Sequence, residues 1–508
     1  MTRSAVLRDP LDFKFQIQYR ESMKYFRAIS ILFFAAALAA NAWCRELPPL
    51  VAPPAEFSVP PPVVQSLPNH LQVVVIESRA LPVVTLTLAL KAGAEADPAG
   101  LPGTAQLVAS LLDEGTKSRS AQQIARALDD IGAAFDSAAE WDDSWARLSV
   151  LSDHTPVAFE LLADLVEHPA FAPAEVARER RQTLSALDVL REDPGYLADT
   201  LIQRLIFAGT PYSHPSDGSP ASISRLTARD LRRFHDRYYQ PGNAILVVVG
   251  DVTTAQGLDL AEQFLGGWKG REAAPPAVVA RAKSPALPRV VVIDDPDSVQ
   301  TEIRVANRAA PRDSPSYEAL TVANQLLGGP AENVLFSALR TRRGLVYGAS
   351  SRLVSHREAG AWEIQTSTRT AATVKTVEII LDQMKRLDRR GVSSRELQNA
   401  QDYLLGHRAL EFETSQQIAR RVLELMIYNL PLDHLQNARE IRSVSADAVS
   451  SAAAQYLSPS TASIVLVGNV AGFGASLKRL GPARIIPVSS VDFGSVTFER
   501  PASVAGDR

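Results

Sequence analysis

The chain has 508 residues, 46% of them apolar, with a formal net charge of −3 and a pI near 6.3. That length provides for at least two domains with cores of ordinary size, and the charge gives no basis for a nucleic-acid or anionic-membrane partner. A single cysteine, Cys44, excludes an intrachain disulfide and any cysteine-built zinc site.

The first feature along the chain is an apolar run of 12 residues, ISILFFAAALAA at 29–40. Lys24 and Arg27 precede it and Ala40-Asn41-Ala42 closes it. A bilayer span takes about 20 residues. A basic flank, a short apolar core and an A-x-A site instead fit a secretory signal. Met23 opens the pattern, so residues 1–44 are read as an extension plus signal peptide with Met23 as the start. The expected location is periplasmic or secreted, with no stable membrane span. Trp43, just before Cys44, does not suit a lipobox.

Residues 45–62, rich in Pro and Ala, read as an exposed lead-in. Gln72–Glu77 and Val83–Lys91 read as strands. Gly100–Thr116, GLPGTAQLVASLLDEGT, is a glycine loop running into a helical turn that stops at Gly115. Leu107, Val108, Leu111 and Leu112 bury one face of it, and Gln106, Ala109 and Ser110 share the other. Ser120–Ile131 follows as a capped helix, then strands at Phe135–Ala139 and Trp145–Leu151. Helices are expected at Thr155–Glu167, Pro173–Arg191, Tyr196–Phe207 and Thr227–Tyr238, and a strand at Ala244–Val249. Residues 272–288 carry four prolines without periodicity and read as a linker.

Beyond the linker the pattern returns. RVVVID at 289–294 resembles QVVVIE at 72–77. The block from Tyr238-Tyr239-Gln240-Pro241 to Gly250 is matched by Tyr456-Leu457-Ser458-Pro459 to Gly468, at an offset of 218 residues, and Ser445 takes the place of the Thr227 cap. Agreement of a whole series at one offset marks two structurally related halves. Strands in adjacent pairs and helices in runs argue for an α+β architecture, an antiparallel-rich sheet with helices packed on it in each half. The domains are placed at 63–271 and 289–480, with a tail, 481–508, that is assigned no role.

The eight histidines are scattered and no two stand four apart, so no helix offers a paired-imidazole zinc site. No G-x-S-x-G elbow or Walker loop is present. His235 reads as a surface or internally satisfied polar residue. In Leu335–Tyr347 the run Arg340, Arg342, Arg343 taken alone is a solvated basic stretch, although an Arg fork with a phenol can bind a peptide carbonyl or carboxylate.

The arrangement resembles the M16 (pitrilysin or insulinase-like) metallopeptidases over most of residues 65–480. In active members the glycine loop is followed by His-x-x-Glu-His. Anchoring on Gly115-Thr116 places Gln106 and Ser110 at the two histidines and Ala109 at the water-activating glutamate. The third ligand, a glutamate, falls between Glu179-Arg180 and Asp193-Pro194, where Ala186 stands. The resemblance therefore implies no catalytic residue and no metal ligand in this chain. Leu339-Arg340 and Gly344-Leu345-x-Tyr347 match the second-half signature that orients substrate backbone, which makes Arg340 and Tyr347 the substrate-binding candidates. The implied function is that of a non-catalytic subunit of a secreted heterodimeric M16-type peptidase. It would close a peptide chamber beside an active partner that carries the zinc, and have no activity alone. The alternative is a non-enzymatic binding or scaffold protein of the same fold.

Overall fold

The computed structural model describes residues 59–270, 289–330, 333–435, 439–495 and 498–499. The expected signal peptide, Met23, Cys44, most of the lead-in and the linker lie outside the described residues.

Among the described residues, twelve strands form two six-stranded mixed sheets. The first comprises β1 (Val63–Ser66), β2 (Gln72–Glu77), β3 (Val83–Leu90), β4 (Ala134–Ala139), β5 (Ser144–Leu151) and β6 (Ala244–Gly250), in the order β1-β2-β6-β3-β5-β4. Only β2 and β6 run parallel. The second comprises β7 (Val290–Asp294), β8 (Gln300–Ala309), β9 (Val346–Ser355), β10 (Gly360–Arg369), β11 (Ser463–Gly468) and β12 (Ala483–Pro487), in the order β12-β7-β11-β8-β10-β9. Here β7 runs parallel to both β11 and β12. Five strands of each sheet correspond one to one, so the duplication read from the sequence is a duplication of topology. β12 carries the second sheet past residue 480. The tail, without a role in the sequence reading, supplies its edge strand and core residues Val491 and Phe493.

The glycine that closes each repeat has a packing reason. Gly250 sits at φ +145, and a Cβ there would lie 2.1 Å from the Val83 carbonyl oxygen. Gly468 similarly abuts Thr301. Both stops let the next backbone pass close to a strand.

The central strands are apolar without alternation because both faces of each sheet are covered. One face of the first sheet packs on helices of its own half, including Thr155–Glu167 and Ala228–Tyr238. Its other face, with Val74, Ile76, Ile245 and Val247, receives the helix Ser415–Ile427 from the second half. Reciprocally, the helix Pro194–Ile206 of the first half lies on Val291, Ile293, Val465 and Val467 of the second sheet. The halves thus exchange one helix each.

The hairpin between β4 and β5 locks this exchange. Its Asp142 is buried and accepts hydrogen bonds from the Tyr212 hydroxyl (2.8 Å), the Tyr428 hydroxyl (3.0 Å) and the Arg357 backbone N–H (3.0 Å). Tyr212 belongs to the first half, and Tyr428 and Arg357 to the second. Burial pushes the neighbouring carboxyls up, Asp143 to about 7 and Glu95 to about 8, the latter helped by the charge of Asp142.

Candidate functional site

The focal helix forms at Thr104–Ser110. Gly103, at φ +88, turns the chain into it, and a side chain there would collide with Ile223 and Gly218. Its N-terminal N–H groups are satisfied by Asp97, whose carboxylate accepts from Gly103 N at 2.7 Å and Ala105 N at 2.8 Å. The sequence reading did not single out Asp97, although an aspartate before a glycine loop that opens a helix is a capping signal. Leu107, Val108, Leu111 and Leu112 are buried, as the periodicity predicts.

The opposite face is not an open donor site. Gln106 and Ser110 are half-buried, and Ala109 is fully buried rather than presented to solvent. The Gln106 side-chain carbonyl accepts from the Ala139 N–H at 3.0 Å. The Ser110 hydroxyl donates to the Gln106 backbone carbonyl at 2.9 Å. Ser137 donates to the Ala109 carbonyl at 2.9 Å. These bonds pin the helix to the end of β4 and occupy the polar atoms that the face has. Ala186 stands on the helix Pro173–Leu190 with its methyl exposed. That helix is fixed to the segment after the focal helix by an Arg178–Glu114 ion pair of 2.6 Å.

Zinc, which the fold family implies, requires three protein ligands and an open position. Gln106, Ser110 and Ala186 supply one committed amide, one committed hydroxyl and a methyl, and Ala109 cannot take a proton from water. The donor set does not fit the metal. Among the described residues no group of three or more His, Cys, Asp or Glu side chains could hold a metal ion. His235 is internally satisfied: it is buried, with Nε2 2.8 Å from the Val166 carbonyl oxygen.

The second-half candidates are arranged differently. Ser337–Thr341 is a π-helical turn, with Arg342 N bonded to the Ser337 carbonyl at 3.1 Å. It ends in a Schellman motif: Leu345 N bonds to Leu339 O at 3.0 Å and Gly344 N to Arg340 O at 2.8 Å, with Gly344 at φ +59. Wide turns of this kind are concentrated at functional sites. Arg340 is half-buried. Its guanidinium lies 4.5 Å from the Tyr347 ring centroid and donates to the Tyr347 backbone carbonyl. The Tyr347 side chain stands on β9, the edge strand of its sheet; the residue is 85% exposed. With Phe336, Gly348 and Thr366 it lines an open cleft of about 540 Å³. The motif therefore builds a phenol that lines a groove, with the Arg340 guanidinium stacked on its ring. Arg342 and Arg343 turn back onto Ser337 and Ala338. No hydrogen bond or ion pair among the described residues joins Arg340 or Tyr347 to Gln106, Ser110 or Ala186.

Two related sheets, each covered by a helix of the other half, and a focal helix without His, Cys, Asp or Glu define a duplicated α+β fold. The insulinase (peptidase family M16) model matches residues 72–215 and the peptidase M16 inactive-domain model matches 225–404. The chain belongs to the M16 peptidase family. It is 27% identical over 398 residues to an uncharacterized zinc protease of Mycobacterium tuberculosis, covering 77% of this chain and 90% of that protein. It is 26% identical over 381 residues to the non-peptidase homolog YmxG of Helicobacter pylori, covering 72% and 85%. Among solved structures, the peptidase M16 inactive domain from Pseudomonas fluorescens matches with a TM-score of 0.74 and 29% identity, covering 80% of this chain and 98% of that one. A protease from Helicobacter pylori matches in fold with a TM-score of 0.73 at 18% identity, covering 80% of this chain and all of that one.

Proposed function

We propose that this chain is the non-catalytic subunit of a secreted, heterodimeric M16-type zinc peptidase. It closes the peptide chamber and holds substrate at the partner's metal with Arg340 and Tyr347. The observation that carries this reading is the asymmetry between the two sites. The first-half site has no ligand or base and its polar atoms are spent within the fold, whereas Tyr347, held by the Arg340 guanidinium stacked on its ring, is presented to a groove. A planar guanidinium and a phenol are suited to a peptide carbonyl or carboxylate. Positioning of that kind raises rate by holding reacting groups in geometry rather than by supplying chemistry. The similarity to a protein named a non-peptidase homolog supports the same reading.

The test is co-expression with a chain of the same family that has an intact His-x-x-Glu-His. Peptidase activity and bound zinc are then measured for each chain alone and for the pair. The expected result is zinc in the partner only, a stable complex, and turnover that rises when this chain is added. Stoichiometric zinc and peptide cleavage by this chain alone would overturn the proposal. A stable complex without any gain in turnover would leave the scaffold role in its place.

A further inference from the structure

The outward position of Tyr347 does not come from the alternation of its strand. Ala349, Ser351 and Leu353 of β9 all face the second core. Followed back with a period of two, that pattern would carry Tyr347 to the inner face. Instead Val346 is buried in the same core and Tyr347 is exposed. The reason is a β-bulge. The register of β9 against β10 jumps from Ala349↔Thr366 to Val346↔Thr368, so Tyr347 and Gly348 together stand opposite Ser367 alone. It lies on an edge strand, where bulges are common, and re-aims one side chain.

A bulge takes backbone groups out of the ladder, and carbonyls left without partners are costly. Here side chains take them. The Thr366 hydroxyl donates to the Gly348 carbonyl at 2.6 Å, and the Thr368 hydroxyl donates to the Leu345 carbonyl at 2.7 Å. Between them the Arg340 guanidinium donates to the Tyr347 carbonyl. Both threonines are buried and stand on β10, one on each side of Ser367. The Thr376 hydroxyl, on the helix Thr373–Arg390, donates in turn to the Thr368 hydroxyl at 3.4 Å. The bulge is thus gripped on both sides of Tyr347 by hydroxyls that are themselves fixed in the interior.

We propose that Thr366 and Thr368 are positioning residues for Tyr347: their hydroxyls hold the bulge that aims the phenol into the groove. Their role in turnover rests on Tyr347 holding substrate, as proposed above. Valine has the shape of threonine without the hydroxyl. In its place the Gly348 and Leu345 carbonyls lose their donors, and the strand is released toward the register that its alternation favours. Serine keeps the hydroxyl and should keep the bulge.

The test uses the full chain carrying 3-fluorotyrosine and read by fluorine NMR, with the Tyr347 line assigned as the one missing from Tyr347→Phe. In a Thr366→Val, Thr368→Val double variant that line is expected to move toward its position in the unfolded chain, as the ring leaves the Arg340 guanidinium. In the Thr366→Ser, Thr368→Ser variant it should stay. In the assembled peptidase the valine pair is expected to lower kcat/KM by about 3- to 10-fold, the worth of one neutral hydrogen bond, and the serine pair by less than about twofold. On a Tyr347→Ala background the valine pair should add little. An unmoved line in the folded valine pair, or an equal shift in the serine pair, would overturn the proposal. So would an equal fall in kcat/KM on the Tyr347→Ala background, which would mark the threonines as structural only. Thr368→Val alone, which leaves Thr366 in place, decides the matter if the valine pair fails to fold. Turnover unchanged by Tyr347→Ala would instead remove the substrate-holding reading, and the fluorine line would still decide whether the threonines set the ring.

Discussion

The two halves share a sheet order and differ in what they do with it. β2, β6, β3, β5 and β4 of the first half answer to β7, β11, β8, β10 and β9 of the second. The sixth strand differs: β1 enters antiparallel from ahead of the repeat, while β12 returns parallel from the tail. The surfaces differ more. Beside β4, the first half carries a helix whose Gln106 and Ser110 are tied into the fold. At β9, the second carries Tyr347 facing a groove, with Arg340 stacked on its ring. Apolar strands, glycine stops and helix caps are common to both halves because the core requires them, whereas side chains that face a site are free to diverge.

The exchanged helices are where the comparison can be broken with the largest effect. Leu201 and Leu425 are both fully buried, each on the helix that lies on the other half's sheet. Leu201→Ala and Leu425→Ala are each expected to cost about 2–5 kcal/mol, since the cavity left between helix and sheet collapses only in part. Denaturant melts of the two variants should shift by similar amounts in one cooperative transition. A loss below about 1 kcal/mol in either would show that the exchange is not reciprocal in energy.

Much of this fold was legible because its signals are local. The runs QVVVIE and AILVVVG declare strands covered on both faces, and the recurrence of cap, turn, strand and glycine declares the duplication. The residue types at the focal helix, Gln106, Ala109 and Ser110, were legible for the same reason, as a pattern at fixed spacing. The helix exchange was not, because an amphipathic helix such as Ser415–Ile427 does not say which sheet it covers. Nor was the role of the tail, since the short β12 has no strong period. Asp142 escaped notice because its partners Tyr212, Arg357 and Tyr428 lie far away in sequence, and the commitment of Gln106 to Ala139 depends on how the hairpin folds over the helix.

The second-half pair offers the next largest effect. In the assembled peptidase, Arg340→Ala is expected to lower kcat/KM by about 10- to 100-fold, the loss of a charged hydrogen bond to substrate of roughly 1.5–3 kcal/mol. Tyr347→Phe, which keeps the ring under the guanidinium, should lower it less. Assembly, followed by size-exclusion chromatography, should be intact in both. Unchanged turnover in both would return Arg340, with Arg342 and Arg343, to a solvated basic stretch.

The hairpin lock adds a pH dependence. Glu95 and Asp143 titrate near 8 and 7 in the folded chain, against ordinary values of 4.5 and 3.8. Glu95 faces Asp142 and Arg357, and Asp143 faces Arg420, Glu140 and Asp142. Between those limits the unfolded chain releases protons that the folded chain retains, so raising the pH favours unfolding. Their contribution to stability is full below about pH 4 and is lost as pH rises through 7 to 8. Thermal melts should show stability falling as pH rises from 5 to 8, a fall flattened in a Glu95→Gln, Asp143→Asn double variant. An unchanged slope in that variant would place the dependence elsewhere.

The smallest effect is the most discriminating for the first half. Gln106→Ala removes the acceptor of the Ala139 N–H, and Ser110→Ala removes the bond to the Gln106 carbonyl. Both side chains are half-buried, so water can take over part of what is lost, and each variant should cost about 0.5–1.5 kcal/mol of stability, read from denaturant melts. Turnover of the assembled peptidase should be unaltered, because these atoms are committed to the fold and none is offered to substrate. A fall in kcat/KM without a fall in stability would mean that the amide or the hydroxyl leaves its internal partner to hold peptide. The first-half face would then be a second substrate surface, and the division of roles between the halves would have to be abandoned.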